Sequence, residues 1–343
     1  MNLKFLLAMS AALMVSAMAR KAPEQDTTVR PANAIASITA QRCAANPLID
    51  FKTSPSLGEN INGPSVIKAP AWLKKPLGKY YMYFADHRGS YIRLAYADAV
   101  QGPWKIYEPG TLNLDQMHRP FHGHIASPDV HVDDQQHEIR MYFHGQAPGG
   151  QKTGIATSKD GLTFAAQDLI LGEFYFRVFK WQDWFYSFAK TDWGGLLARS
   201  KDGVTPFESR GNLIPKMRHS AVLLKDDQLL VFFTRVKDEP ERVLVATVAL
   251  TGDWKTWQDS EPLEVIKPEK DYEGIRYPQT SQSGPAIKVQ QLRDPCIFQD
   301  DGHTYLFYTI AGEMGIALAE LNIAMKPKAE LAAPKPAAAK PAP

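Results

Sequence analysis

Two cysteines in 343 residues exclude a scaffold built on disulfides, and Cys43 and Cys296 lie too far apart in the chain to read as a thiolate zinc motif. An excess of one charge is also missing: 39 Lys and Arg stand against 37 Asp and Glu, a formal net charge of +2. Without a clustered Lys/Arg stripe, neither nucleic acid nor an anionic membrane surface is an expected partner. No segment reaches the ~18 consecutive apolar residues that a membrane-spanning helix needs. Helix-period patterning of useful length is absent between residues 41 and 320, which leaves short aromatic and β-branched runs broken by Gly, Pro, Asp and Asn. Such runs are strands.

The strands repeat. An aromatic run recurs at 81–84 (Tyr-Met-Tyr-Phe), 141–144 (Met-Tyr-Phe-His), 185–188 (Phe-Tyr-Ser-Phe), 231–234 (Val-Phe-Phe-Thr) and 306–309 (Leu-Phe-Tyr-Thr). Each is preceded by a short run that opens on polar or small residues: Gly63-Pro-Ser-Val, Ser127-Pro-Asp-Val, Phe176-Arg-Val-Phe, His219-Ser-Ala-Val and Arg293-Asp-Pro-Cys. Each is followed by a Gly/Ala-rich strand such as 154–158 or 315–319, and then by an Asp-Gly turn or a Trp, as at Asp160-Gly161, Asp202-Gly203 and Trp104. Units of about 40–50 residues with several strands each mark a propeller. The reading is all-β, a single-domain five-bladed β-propeller over 41–324, with blades at 60–108, 122–168, 173–212, 217–260 and 284–323. The stretch 261–283 reads as a long connection covering one face.

The ends differ in composition. Lys4, an apolar run from Phe5 to Val15 and Ala17-Met-Ala19 have the order of a secretory leader, so export to the periplasm or the medium and cleavage after Ala19 are expected, with an uncleaved anchor as the alternative. Residues 20–40 read as a flexible segment, and 325–343, rich in Pro, Ala and Lys, as a disordered tail. Export permits a disulfide. In a closed ring Cys43 and Cys296 belong to neighbouring regions, so a bridge between them would staple the closure. The alternative is that Cys296 is a small buried apolar residue.

Inner strands of a propeller run near the ring axis, so their opening residues share one pocket. The set collected in this way is Asn62, Asp129, Arg177, His219, Arg293 and Asp294, with His87, Arg88 and His124 at nearby strand ends and Glu273 in the long connection. Asp129 and Asp294 are the inner carboxylates suited to bond-breaking chemistry. A general acid needs a raised pKa or an imidazole, which nominates Glu273 or His219. Asn62, His87, Arg88, His124, Arg177 and Arg293 are the candidate ligand-binding groups, and Arg177, Arg293 and His87 would suit an acidic or sulfated sugar. Trp181, Trp184, Trp193, Tyr175 and Tyr272 could stack on sugar rings or pack between blades. His122 and His124 alone do not form a metal pattern, and no cofactor is expected.

Five such blades resemble the five-bladed glycosidases, the group that includes families 43, 62, 32, 68 and 117. Ala126-Ser-Pro-Asp-Val, followed by 131–143, is similar to the second-blade element of family 43, where the acidic residue after the proline tunes the catalytic acid. Arg293-Asp-Pro-Cys-Ile-Phe, followed by 300–308, matches the general blade signature. The resemblance implies a secreted glycoside hydrolase acting at chain ends. Two openings depart from it: blade one starts Asn62-Gly-Pro-Ser where an aspartate is usual, and a later blade starts Arg218-His-Ser-Ala where a glutamate is usual. Family 117 uses a histidine as its acid, which makes His219 the candidate for that role. The departures keep two other readings open, a non-catalytic carbohydrate-binding propeller and a glycoside phosphorylase in which Arg177 and Arg293 would hold phosphate.

Overall fold

A computed structural model describes residues 30–117, 120–281 and 284–331. Its strands form five antiparallel sheets, one per repeat. From the axis outward, blade one runs Asn62–Lys68, Tyr80–Ala85, Tyr91–Ala97 and Lys105–Asn113. Blade two runs His122–Asp133, Glu138–Ala147, Gly150–Ser158 and Ala165–Ala166. Blade three runs Arg177–Trp181, Trp184–Thr191, Gly194–Ser200 and Glu208–Pro215. Blade four runs Met217–Lys225, Gln228–Arg235, Val243–Ala249 and Leu263–Ile266. In blade five, Arg293–Asp300, His303–Thr309 and Gly315–Met325 are completed on the outside by Ile35–Arg42, from the N-terminal side of the domain.

The aromatic strand is the second of each blade because it is covered on both faces by neighbouring blades. Tyr81, Tyr83, Phe84, Phe143, Phe188, Phe232, Phe233 and Phe307 are all buried. The repeated Asp-Gly turn is part of the same packing. Tyr83 donates its hydroxyl to Gly161 O at 2.9 Å, and Tyr142 donates to Gly203 O at 2.9 Å. Each links an aromatic strand to the turn of the next blade. Gly161 and Gly203 have φ of 73° and 72°, and a Cβ on either would crowd the incoming phenol oxygen, at 3.0 Å and 2.9 Å. Conformation and space both select glycine.

Several boundaries differ from those expected. Residues 35–40 belong to a strand rather than a flexible segment, paired from Ile35↔Met325 to Arg42↔Ala319; the ring closes by joining the first of the described strands to the last blade. Met325 lies in that pairing and Lys328–Leu331 form a helical turn, so this part of the expected tail is ordered. Leu263–Ile266, placed in the connection, is the outer strand of blade four. The expected leader at 1–19, residues 20–29 and residues 332–343 lie outside the described residues. Among the described residues no helix is long and apolar enough to cross a membrane.

The cysteines are free, and the register explains why no bridge forms. Cys296 opposes Phe307, Phe307 opposes Leu318, and Cys43 N bonds Leu318 O. The two cysteines therefore stand on the innermost and outermost paths of one blade. Three strand spacings separate them, roughly 14 Å, about twice what a disulfide spans. Burial pushes the Cys296 thiol up to about 12. It is the small apolar residue of the alternative reading.

Candidate active site

Four inner strands carry the same irregularity; in blade four the pairing passes from Met217↔Arg235 to Ser220↔Phe233, with no proline, and the other three share a further feature. In blade one the pairing passes from Asn62↔Ala85 to Ser65↔Tyr83, in blade two from Ala126↔His144 to Asp129↔Tyr142, and in blade five from Arg293↔Thr309 to Cys296↔Phe307. Each of these three bulges holds a positive-φ residue followed by proline: Gly63 (64°), Ser127 (49°) and Asp294 (45°). These three residues are in equivalent register, and so are Ser65, Asp129 and Cys296 one step further along.

That register separates the expected carboxylates. Asp294 lines a pocket of about 260 Å³ with Asn62, His87, His144, Tyr175, Lys190, Arg218, His219 and Glu313. Asp129 lines a second cavity of about 200 Å³ further along the same strands, with Ser65, His131, Arg177 and Cys296. There it joins blades: Asp129 Oδ2 accepts from Val178 N at 2.7 Å and lies 2.9 Å from His131 Nε2. Burial pushes the Asp129 carboxyl up, but His131, Arg177 and the Val178 amide outweigh it and leave the pKa below its usual value. Ser65 forms the matching joint, accepting from Val130 N at 2.9 Å. Asp129 is therefore not a partner of Asp294 across one pocket.

Asp294 has a different environment. It is 3% exposed. Its Oδ1 accepts from the Tyr175 hydroxyl at 2.6 Å and lies 3.1 Å from His219 Nδ1, while Oδ2 is buried with no partner among the described residues. Burial, then the charge of Glu313, pushes the Asp294 pKa up against the opposing pull of Tyr175, Arg293 and Arg218. Tyr175 is fixed by its neighbours, with the Arg177 guanidinium 4.4 Å from its ring centroid and the His219 ring stacked at 4.8 Å. Burial and the Asp294 charge hold its phenol well above the usual range, so it remains a donor. Burial, then the charges of Arg218 and Lys190, hold His219 well below the usual imidazole value, so it is neutral near pH 7.

Glu313, in the hairpin after the aromatic strand of blade five, is the second buried carboxylate on the pocket wall, 1% exposed. Arg293 Nη1 lies 2.7 Å and His87 Nδ1 3.1 Å from Oε1, and Asn60 Nδ2 donates to Oε2 at 2.8 Å. Burial pushes it up, yet His87 and Arg293 outweigh burial and hold it below the usual carboxylate value. The pocket thus contains a carboxyl biased toward the protonated form and another biased toward the ionised form.

The remaining expected residues divide. Asn62 and His87 line the pocket. Arg293 is fully buried behind the wall, bonded to Glu313 and Gln291. Arg177 lines the second cavity, donating Nε to Ser220 O at 3.0 Å. Arg88 is exposed and its backbone caps Asp86, and the His124 ring packs edge-on to His144 at 5.7 Å; neither lines the pocket. Glu273 is completely buried elsewhere. It accepts from Arg42 Nε at 2.7 Å, Tyr308 Oη at 2.8 Å and Glu269 N at 2.7 Å, which ties the closing strand to blade five and removes it as the acid. Sequence reasoning missed Glu313, Lys190 and His144, which sit at strand ends away from the innermost strands. Among the described residues no group of three or more His, Cys, Asp or Glu is placed to hold a metal ion.

No family model matches the chain. Solved structures share the architecture at low identity. A glycosyl hydrolase from Bacteroides ovatus superposes with a TM-score of 0.59 at 11% identity, over 82% of this chain and 92% of that one. A structure from the GH130 family of mannoside phosphorylases, described as containing glycoside hydrolases that target β-1,2 mannosidic linkages in Candida mannan, gives 0.59 at 13% identity over 91% and 99%. These likenesses establish the five-bladed glycosidase fold. A closer sequence relative is the uncharacterized protein R118 of Acanthamoeba polyphaga mimivirus, 39% identical over 300 residues, which span 76% of this chain and 83% of that protein. The chain belongs to the family of R118, carried on the propeller that these glycoside hydrolases share.

Proposed function

We propose that the protein is an exported, exo-acting glycoside hydrolase, with Asp294 as its general acid and Glu313 as the ionised partner carboxylate. The carrying observation is the pair itself: two carboxyls on one pocket wall whose surroundings push their pKa values in opposite directions, the pattern that divides acid from base. Asp294 Oδ2 has no protein partner among the described residues, so the proton of the acid form is not committed to another protein group. An enclosed pocket on the ring axis suits a terminal sugar better than the middle of a long chain. His219, held neutral, orients Asp294 rather than acting as an imidazolium acid.

Asp294→Asn is the test. Asn tolerates a φ of 45°, so the bulge should survive. Loss of roughly 10²- to 10⁴-fold in kcat on a panel of short oligosaccharides read by chromatography is expected, and wild-type rates would sink the reading. The same screen on Glu313→Gln tests the partner role.

A specific observation favours a second reading. Gly63, Ser127 and Arg218 occupy the register of Asp294 in blades one, two and four, so three of four equivalent positions lack a carboxylate. A glycan-binding propeller without turnover would show saturable sugar binding and no product after long incubation.

A further inference from the structure

Lys190 stands near the end of the second strand of blade three, where it lines the central pocket. Its pocket neighbours are already committed. Arg218 Nη1 bonds Glu241 at 2.9 Å, Arg293 bonds Glu313 at 2.7 Å, and His87 lies 3.1 Å from Glu313. Among the described residues no carboxylate comes within ion-pair distance of the Lys190 ammonium; it lies 5.5 Å from the Phe174 ring centroid. Burial, then the charge of Arg218, lowers it to about 8 against the opposing pull of Glu241 and Asp294.

His144 packs against the same ring. Its ring lies 5.9 Å from that of Phe174, it lines the same pocket, and it is 7% exposed. Its Nδ1 is buried with no partner among the described residues. Burial, then the neighbouring His124, holds it well below the usual imidazole value, so it is a neutral ring able to donate one N–H. A cation and a neutral imidazole that line one pocket, both against Phe174, are suited to an anionic group.

We infer that Lys190 and His144 bind the carboxylate of a hexuronic acid residue seated in the central pocket. This rests on the glycoside reading above and narrows its substrate class. A monoanion matches one spare cation. A dianion such as phosphate would face Asp192, Asp294 and Glu313 on the same walls. The sequence reading assigned acidic-sugar recognition to Arg177, Arg293 and His87, but the first lines another cavity and the other two are paired with Glu313.

The test is calorimetric titration of the wild-type protein with glucuronic and galacturonic acid, with glucose, galactose, inorganic phosphate and inorganic sulfate as controls. One uronic acid is expected to bind at least about tenfold more tightly than its neutral counterpart. Lys190→Gln should abolish that preference while retaining neutral-sugar binding, Lys190→Arg should keep most of it, and His144→Phe should reduce it. Equal binding of uronic and neutral sugars overturns this inference and leaves the glycoside reading standing, as does a preference that survives Lys190→Gln. Phosphate or sulfate binding that depends on Lys190, without uronate preference, overturns it in favour of an inorganic anion site. Binding of no sugar at all overturns both readings. Unchanged melting temperatures in the variants confirm that each result reports the site.

Discussion

Tyr175 donates a 2.6 Å hydrogen bond to Asp294 Oδ1, joining the strand start of blade three to that of blade five. The bond acts on the carboxyl in one direction. A donor stabilises the ionised form, and Tyr175 therefore pulls the Asp294 pKa down while burial and Glu313 push it up.

Removing the phenol should release that pull. In Tyr175→Phe the Asp294 pKa rises further, so the protonated form persists to higher pH. If Asp294 is the acid, the alkaline limb of the kcat/KM profile moves up by about one unit, since a hydrogen bond to a charged group is worth about 1.5 kcal/mol and one pH unit about 1.4. The pH profile of the variant against wild type is the measurement. An alkaline limb that stays in place or moves down would dissociate that limb from Asp294.

Glu273 belongs to closure of the ring rather than to chemistry. It is 0% exposed and meets Arg42 at 2.7 Å from the outermost strand of the last blade. Glu273→Ala leaves Arg42 without its buried partner and also deprives the Tyr308 hydroxyl of its acceptor. Breaking a buried pair in this way costs about 3–5 kcal/mol. A large drop in the denaturant midpoint is expected, with activity per folded molecule unchanged. A variant of normal stability and lost activity would return Glu273 to the catalytic set.

The architecture was legible because a strand covered by blades on both sides must be apolar and aromatic along its whole length, and the run at 81–84 has counterparts in every blade. Asp294 was legible for a related reason: Arg293-Asp-Pro marks the bulge that turns a side chain toward the axis. Asp129 was misplaced by its nearness to a proline. Asp294 precedes its proline, whereas Asp129 follows Pro128, and across the bulge that difference moves the side chain from one cavity to the next. Glu313, Lys190 and His144 lie on second strands or the hairpins after them, which enter the pocket only through the curvature of the blades, and no spacing in the chain announces that. Glu273 looked free in a long loop because its partner, Arg42, ends a strand whose residues 35–40 read as flexible.

Trp193 offers a third test, at the mouth of the pocket. It is 54% exposed, in the hairpin that directly follows Lys190 and Asp192 on the pocket wall. Its backbone is pinned from both sides, with Trp193 N donating to Thr191 Oγ1 at 3.2 Å and Lys216 N donating to Trp193 O at 3.1 Å. The next residue, Gly194, has a φ of 144°, and a Cβ there would fall 2.3 Å from Ile214 O. The backbone is therefore held while the indole stands in solvent, which gains nothing for the core. A flat apolar face beside a sugar-sized pocket suits the ring next to the terminal sugar, because an indole buries a large area with few rotatable bonds. Trp193→Ala should leave stability within about 0.5 kcal/mol of wild type, as expected for an exposed position. It should raise KM for an oligosaccharide about tenfold, which corresponds to roughly 1.4 kcal/mol of lost contact, while kcat and monosaccharide binding stay as they were. Steady-state kinetics on a chain-length series separates the outcomes: a KM effect that grows with the second sugar and then levels off places one ring on Trp193, and an equal effect on the monosaccharide would place the indole over the pocket itself.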